Sequence, residues 1–277
     1  MMPRTIVPPP SEPLALAEVK LHLKQDISDD DVLISAFLAS ARAYAETYCS
    51  KQFVSARLAL QVDAFPCWEL HLMRGPVVEI ESIQYLDASG VTQTMSSTDY
   101  WLDAYTDPAK LTPALNKSWP ATANRGGAVT INYKAGYVAG CTFDAATDAV
   151  TVKNWRTLAV NDAVRFSNSG GALPAELQAG MLYYVQSVVS AGVYKLSAAS
   201  GGAAIDLSGA GTGLHFMAQP GIHWAKPELP PMVRAWLLLR CDTAYSHRGE
   251  NVNVKRELVH MPYVDGLLDS ERCWVFQ

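Results

Sequence analysis

Ala128-Val129-Thr130-Ile131-Asn132-Tyr133-Lys134-Ala135-Gly136-Tyr137 decides how this chain is organised. Apolar residues at 129, 131 and 133 alternate with polar ones at 130, 132 and 134, the period of a strand with one buried face. Ala135-Gly136-Tyr137 ends that strand, and the composition then changes. From Cys141 to Met217 the chain holds nine of its 18 glycines, only Pro174 of its 16 prolines, and only nine charged residues. Beyond it the chain runs through Pro220, Pro227, Pro230 and Pro231 into a helical pattern. Residues 141–219 therefore read as an all-β insert, a small barrel or sandwich, between a first scaffold part at 1–140 and a second at 220–277.

Upstream of the deciding strand the period is 3.6. Leu16, Val19 and Leu23 mark a helix near 14–24. A second helix starts after Ser28, where Asp29, Asp30 and Asp31 suit the positive end of the helix dipole, and runs to about Cys49. Its expected buried face is Leu33, Phe37, Ala41, Tyr44 and Tyr48, widened by Ile34, Leu38 and Ala45. The period then drops to 2: Leu58, Leu60 and Val62 alternate with polar or small residues. Strands follow at 69–73, 77–86 and 100–103, with Asp87-Ala88-Ser89-Gly90 as a turn.

Downstream, Pro230 and Pro231 open a helix from Met232 to about Arg248, with Val233, Leu237, Cys241 and Ala244 on one face, extended by Trp236 and Tyr245. A short helix near 263–268 and an apolar tail, Cys273-Trp274-Val275-Phe276, close the chain. Within the insert, strands are expected at 150–152, 163–166, 182–189 and 193–197. The fold class is α+β: helices with an antiparallel sheet, plus the inserted β domain.

Composition bounds the function. The 277 residues carry a formal charge of −5, which argues against sequence-independent DNA binding through clustered Lys and Arg. Five cysteines without a CxxC pair argue against a disulfide framework or structural zinc site and point to a reducing place of synthesis. The first 13 residues lack the apolar core of a signal peptide, and no run of about 18 apolar residues suggests a membrane span. No metal is implied, because Asp29-Asp30-Asp31 lacks the glycine and distal glutamate of a calcium loop. No cofactor is implied either: Gly209-Ala210-Gly211-Thr212-Gly213 lacks the Lys-Ser or Lys-Thr of a phosphate loop and reads as a β turn. The six histidines are scattered, with no HExxH, and no serine lies in a GxSxG elbow, so catalytic residues are expected to be none. Seven tryptophans read as core or interface residues, Trp155 being the one with a claim to stacking on a sugar.

With these elements placed, the flanks resemble the head-tail connector, or adaptor, proteins of long-tailed bacteriophages. The resemblance lies in Leu16-Ala17-Glu18-Val19-Lys20-Leu21-His22-Leu23-Lys24, the acidic start of the second helix, and Tyr44-Ala45-Glu46-Thr47-Tyr48. It continues in Ile83-Gln84-Tyr85-Leu86-Asp87, Lys117-Ser118-Trp119-Pro120, the deciding strand itself, and Leu229-Pro230 leading into Val233-Arg234-Ala235-Trp236-Leu237-Leu238-Leu239. Members usually reach the last long helix soon after the Ala-Gly-Tyr phrase, and here the insert fills that connection. The stretch Leu173-Pro174 through Tyr183-Tyr184-Val185 to Ser197 is itself similar to a β module that recurs in phage tail and fibre proteins.

The resemblance implies a connector core at 1–140 and 220–277 and a non-enzymatic virion protein made in the host cytoplasm. It would form a homo-oligomeric ring, in the family usually twelve subunits, under the portal, with the next neck, stopper or tail protein on its far face. DNA would pass through the channel without specific binding, and no membrane is involved. Tyr263, Leu267, Leu268, Trp274, Val275 and Phe276 are the residues expected to reach the portal or a neighbouring subunit. Two alternatives stay open: a neck stopper or tail terminator, and a glycan-binding tail or fibre component whose insert would expose Trp155, Tyr183 and Tyr184. The insert is expected to project from the ring's outside or rim and to be removable.

Overall fold

The computed structural model describes residues 2–225, 228–247 and 266–273. Among the described residues, three α-helices pack on one another: α1 (Leu16–Leu23), α2 (Asp31–Cys49) and α3 (Pro231–Ser246). α1 and α2 both stop at a left-handed residue, Lys24 and Ser50, whose N–H turns back to carbonyls of the last turn. α3 begins where Pro230 and Pro231 set the backbone for a first turn that has no use for their missing N–H groups.

The buried stripe of α2 is Ile34, Leu38, Ala41, Ala45 and Cys49. It packs with Val19 of α1 and with Val233, Trp236, Leu237 and Cys241 of α3. Each fully buried aliphatic side chain here contributes roughly 1.5–3 kcal/mol relative to exposure. The stripe is rotated from the expected face: Leu33, Phe37 and Tyr48 are half-buried, and Tyr44 is exposed. The cause is α3, which approaches on the Ile34, Leu38 and Ala45 flank and leaves Tyr44 to stack at the edge, over Trp236 at 5.8 Å and 9°.

The strands before the barrel form two antiparallel sheets. One holds β1 (Arg4–Val7), β2 (Ala56–Val62), β4 (Val77–Leu86), β5 (Thr92–Thr94) and β8 (Val129–Ala135), in the order β1-β2-β8-β4-β5. The other holds β3 (Leu70–Leu72), β6 (Tyr100–Asp103) and β7 (Ala109–Pro113), in the order β3-β7-β6. β8 is central, and Val129, Ile131, Tyr133 and Ala135 are all fully buried, opposite Val62, Leu60, Leu58 and Ala56 of β2. With Leu70, Leu72 and Leu111 they make a core separate from that of the helices. The fold is thus α+β, with two sheets that carry a core of their own where helices with one antiparallel sheet were expected. Gly136 ends β8 at φ 156°, and a Cβ there would lie 2.5 Å from the Cα of Ser55, so only glycine lets the two backbones touch.

Six strands then close a barrel: β9 (Ala139–Asp144), β10 (Ala149–Val152), β11 (Ala163–Ser169), β12 (Leu182–Ser190), β13 (Val193–Ser197) and β14 (Leu214–Ala218). Their order around the barrel is β10-β13-β12-β11-β14-β9. Phe143, Val164, Phe166, Tyr183, Val185, Tyr194, Leu196 and Met217 fill it. The exposure expected of Trp155 and Tyr183 is corrected: both are buried in the barrel core, and Tyr184 is half-buried. A barrel this small has room for side chains alone, and its aromatic residues supply that volume.

The barrel shares strands with the scaffold's packing. On β14, Met217 points into the barrel while Phe216 and Ala218 belong to the helical core. Val78 of β4 packs into the barrel cluster from the other side. The insert therefore shares β14 with the packing of the helices.

Candidate functional site

The end of α2 is the place where most of the chain meets. Its last carbonyls have no partner within the helix. The segment 266–273 returns to this end: Leu267 and Leu268 enter the helical core, and the Cys273 N–H donates to the Cys49 carbonyl at 2.9 Å. The Tyr48 hydroxyl donates to Asp269 Oδ1 at 2.6 Å, the Tyr137 hydroxyl to Glu271 Oε2 at 3.0 Å, and the Arg272 guanidinium lies 5.0 Å from the Tyr48 ring centroid. The bond to Asp269 holds the Tyr48 hydroxyl above its ordinary pKa, and burial followed by the Glu271 charge does the same for Tyr137, so both remain proton donors. Leu267 and Leu268, expected at a partner, are buried in their own chain in this arrangement. Tyr263, Trp274, Val275 and Phe276 lie outside the described residues.

Beneath this seat two charged groups are buried and paired. Glu46 accepts bonds from Arg42 Nη1 at 2.8 Å, Gln52 Nε2 at 2.7 Å and the Phe53 N–H at 3.1 Å, while Arg74 stands at 3.5 Å. Arg42 also holds Glu12, at 2.6 Å, so this cluster ties the N-terminal segment, α2 and the β3–β4 connection together. Burial pushes the Glu46 carboxyl up, against the pull of Arg42. Lys51 pairs with Asp107 and sits 4.1 Å from the Trp224 ring centroid, a cation–π contact.

The joint to the barrel is polar as well as apolar. Ser169 of β11 accepts the Ala15 N–H at 2.7 Å and donates to Glu18 Oε2 at 2.5 Å, and Glu18 Oε1 faces Arg234 of α3 at 2.7 Å. Ser55 donates to the Asn154 carbonyl, Lys134 to the Trp155 carbonyl at 2.8 Å, and Arg156 to Gln219 at 2.7 Å.

Groups that carry chemistry elsewhere are here given to structure. Burial pushes the Cys49 thiol up to about 12 and the Cys241 and Cys273 thiols up to about 11, the opposite of an activated nucleophile. His22 and His247 are exposed, His71 contacts Glu69, His215 and His223 are buried at different places, and His260 lies outside the described residues. Asp31 pairs with Lys20 at 2.6 Å, and Asp30 accepts from Tyr245 at 2.6 Å. Among the described residues, no three His, Cys, Asp or Glu side chains gather as metal ligands, and no helix is long and apolar enough to cross a membrane. The Gly209–Gly213 stretch leads into β14 as an irregular segment held by backbone bonds between Ala172 and Thr212.

The surface offers apolar ground instead. Leu21, Ile27 and Val32 stand exposed around the α1–α2 corner. Trp68 is exposed beside an open cleft of about 400 Å³ in which Phe65 stacks on Trp119 at 4.7 Å.

Residues 14–73, from the helical pair through β2 to β3, match the sequence model of phage gp6-like head-tail connector proteins. This stretch is similar to the head-tail connector family. It contains the α2 end, Glu46 and Arg42, so the α2 side of the seat lies within the matched residues. No curated protein sequence matches the chain. Three solved chains share the fold at 16% identity, covering 100% of this chain and 98% of each of theirs. They come from the neck of an empty gene transfer agent particle with C6 symmetry, at a TM-score of 0.55, a virion of the native particle, at 0.57, and the native neck with C12 symmetry, at 0.56. The coverage carries this fold likeness of the connector segment through the barrel and the last helix.

Proposed function

We propose that this chain is a structural neck protein of a tailed phage or phage-like particle: a head-tail adaptor that forms a ring under the portal. The observation that carries the reading is the connector match at 14–73 within a fold alike over its whole length to neck chains of a gene transfer agent. The ring would leave a channel for DNA and offer its far face to the next neck or tail protein. A net charge of −5 suits that passage, since it does not favour gripping phosphates.

A closed ring repeats one heterologous interface, so each subunit needs two different sticky surfaces. The exposed Leu21, Ile27 and Val32 corner and the Trp68 cleft are such surfaces. Tyr263, Trp274, Val275 and Phe276 are the residues proposed to reach the portal or the adjacent subunit. The division into 1–140, 141–219 and 220–277 is proposed as the chain's history: a connector into which a β domain was inserted and later packed into the core. No catalytic role is assigned.

A stopper or tail terminator is the neighbouring reading, separated by what the protein touches. The glycan-binding reading loses its footing with Trp155 and Tyr183 buried. Electron microscopy of the purified protein, alone and mixed with its portal, tests the proposal. Closed rings stacking on portals support it; rings that ignore portals but cap tail tubes would move the chain to the terminator class.

A further inference from the structure

Lys51 follows the left-handed Ser50 that ends α2, and it is the one lysine buried among the described residues, its side chain 1% exposed. Bridge pairing with Gly75, and the Gln52 N–H to Gly75 carbonyl bond of 2.9 Å, fix its backbone. Asp107 lies in the turn between β6 and β7, and that turn is tied to the segment after the barrel at two points. The Tyr105 hydroxyl donates to the Gly221 carbonyl, and the Trp224 N–H donates to the Ala104 carbonyl at 3.3 Å. Trp224 thus holds both partners, since its ring also lies 4.1 Å from Lys51 Nζ. The Tyr137 ring stands edge-on to Trp224 at 6.0 Å and extends this aromatic wall. An ammonium has three N–H donors, yet Asp107 is the one hydrogen-bond acceptor that Lys51 Nζ meets among the described residues. A charge pair so placed bears a desolvation penalty that its mutual attraction offsets poorly. Condensing the pair into an amide removes both charges.

We propose that Lys51 and Asp107 are joined by an isopeptide bond that forms within the folded chain. One ammonium proton passes to the Asp107 carboxylate, and the neutral Lys51 nitrogen attacks Cγ. A C–N bond forms, one C–O bond of the carboxyl breaks, and the departing hydroxyl takes a second proton from the nitrogen. The products are one water and an amide that keeps the third hydrogen; no oxidant or other reactant enters. Well-oriented groups held in contact reach effective concentrations of about 10⁵–10⁸ M, which favours the amide over its hydrolysis. Asp107, 29% exposed, gives the water a way out, while the Trp224 and Tyr137 rings keep bulk water from Lys51. The bond joins residues 56 positions apart and fastens the end of α2 to the three-stranded sheet. It stands whether or not the neck reading holds.

The test is the intact mass of the purified full chain, measured after unfolding in urea. The expected mass is one water below that of the sequence. Tryptic mapping should find no cleavage after Lys51 and should recover its peptide linked to the one that contains Asp107. Lys51→Arg, which keeps the charge pair, and Asp107→Ala should both show their full sequence masses. Asp107→Asn should lose one ammonia, because the side-chain amide nitrogen then departs in place of the hydroxyl. The unsubstituted chain should unfold at a higher urea midpoint than Lys51→Arg. A chain that is folded by circular dichroism and keeps its full mass after prolonged incubation overturns the proposal, and so does a loss of water that maps to any other pair of residues.

Discussion

The Ser169 hydroxyl donates to the Glu18 carboxylate at 2.5 Å, joining residues 151 positions apart, one in the barrel and one in the first helix. The same oxygen accepts the Ala15 N–H, one of the orphan donors at the start of α1. A barrel strand thus bridges the N-cap N–H of Ala15 and the carboxylate of Glu18 at N3, the two groups that a capping box joins directly.

Ser169→Ala should cost about 1–3 kcal/mol, because it leaves the Ala15 N–H and one Glu18 oxygen unpaired in a nearly dry joint. Arg234 still neutralises Glu18, which limits the loss. Urea unfolding should show a lower midpoint with an unchanged slope. An unchanged midpoint would mean that the joint is open in solution.

Phe216→Ala should cost about 3–5 kcal/mol, since it empties a site in the helical core from the barrel side. Val189→Ala, at an exposed barrel position, should cost little. By the same reasoning, excising 139–218 with a short linker should produce aggregate, because Phe216 and Ala218 leave the helical core uncovered. A soluble, monodisperse deletion protein would contradict this.

His223 sets a pH dependence. Burial lowers its imidazole from 6.5 to about 4, so the unfolded chain binds its proton more readily than the folded one. The sign follows: the contribution is complete above pH 6.5 and is lost as pH falls toward 4, a span worth about 3 kcal/mol. His223→Phe, which keeps the ring edge beside Trp155, should flatten the melting temperature across that window. An unaltered acid slope would assign the window to other groups.

Leu268→Ala should lower the stability of the isolated chain by about 2–5 kcal/mol, because the side chain is 1% exposed within the helical core. Replacing Trp274 and Phe276 together by Ala should weaken association with portals in co-sedimentation. Undiminished association would remove the tail from the proposed interface.

The helices and the central strand were legible because each presents one buried and one wetter side, which writes a period into the sequence. β9 and β14 were not. Phe216 and Ala218 face the helices while Met217 faces the barrel, so every position from His215 to Ala218 is buried and no alternation remains to be read. β1 was missed because an exposed edge strand carries little pattern, and β7 because Pro113 at its end reads as a breaker. On α2 two adjacent apolar stripes were visible, and the sequence did not say which α3 would cover. At the seat, Tyr48, Cys49 and Tyr137 gave no local signal, because their partners lie more than 130 residues away.

By itself the sequence determined the helix pair, the alternating β8, the compositional break after it and the connector-like phrases, all of them properties of a dozen or so consecutive residues. Only the tertiary structure decided that the break is no boundary of packing, that the barrel bridges Ala15 and Glu18 through Ser169, and that Leu267 and Leu268 fill the chain's own core. Those outcomes depend on which surfaces meet. Burial pairs residues by shape and desolvation across the whole chain, and that pairing leaves no period along it.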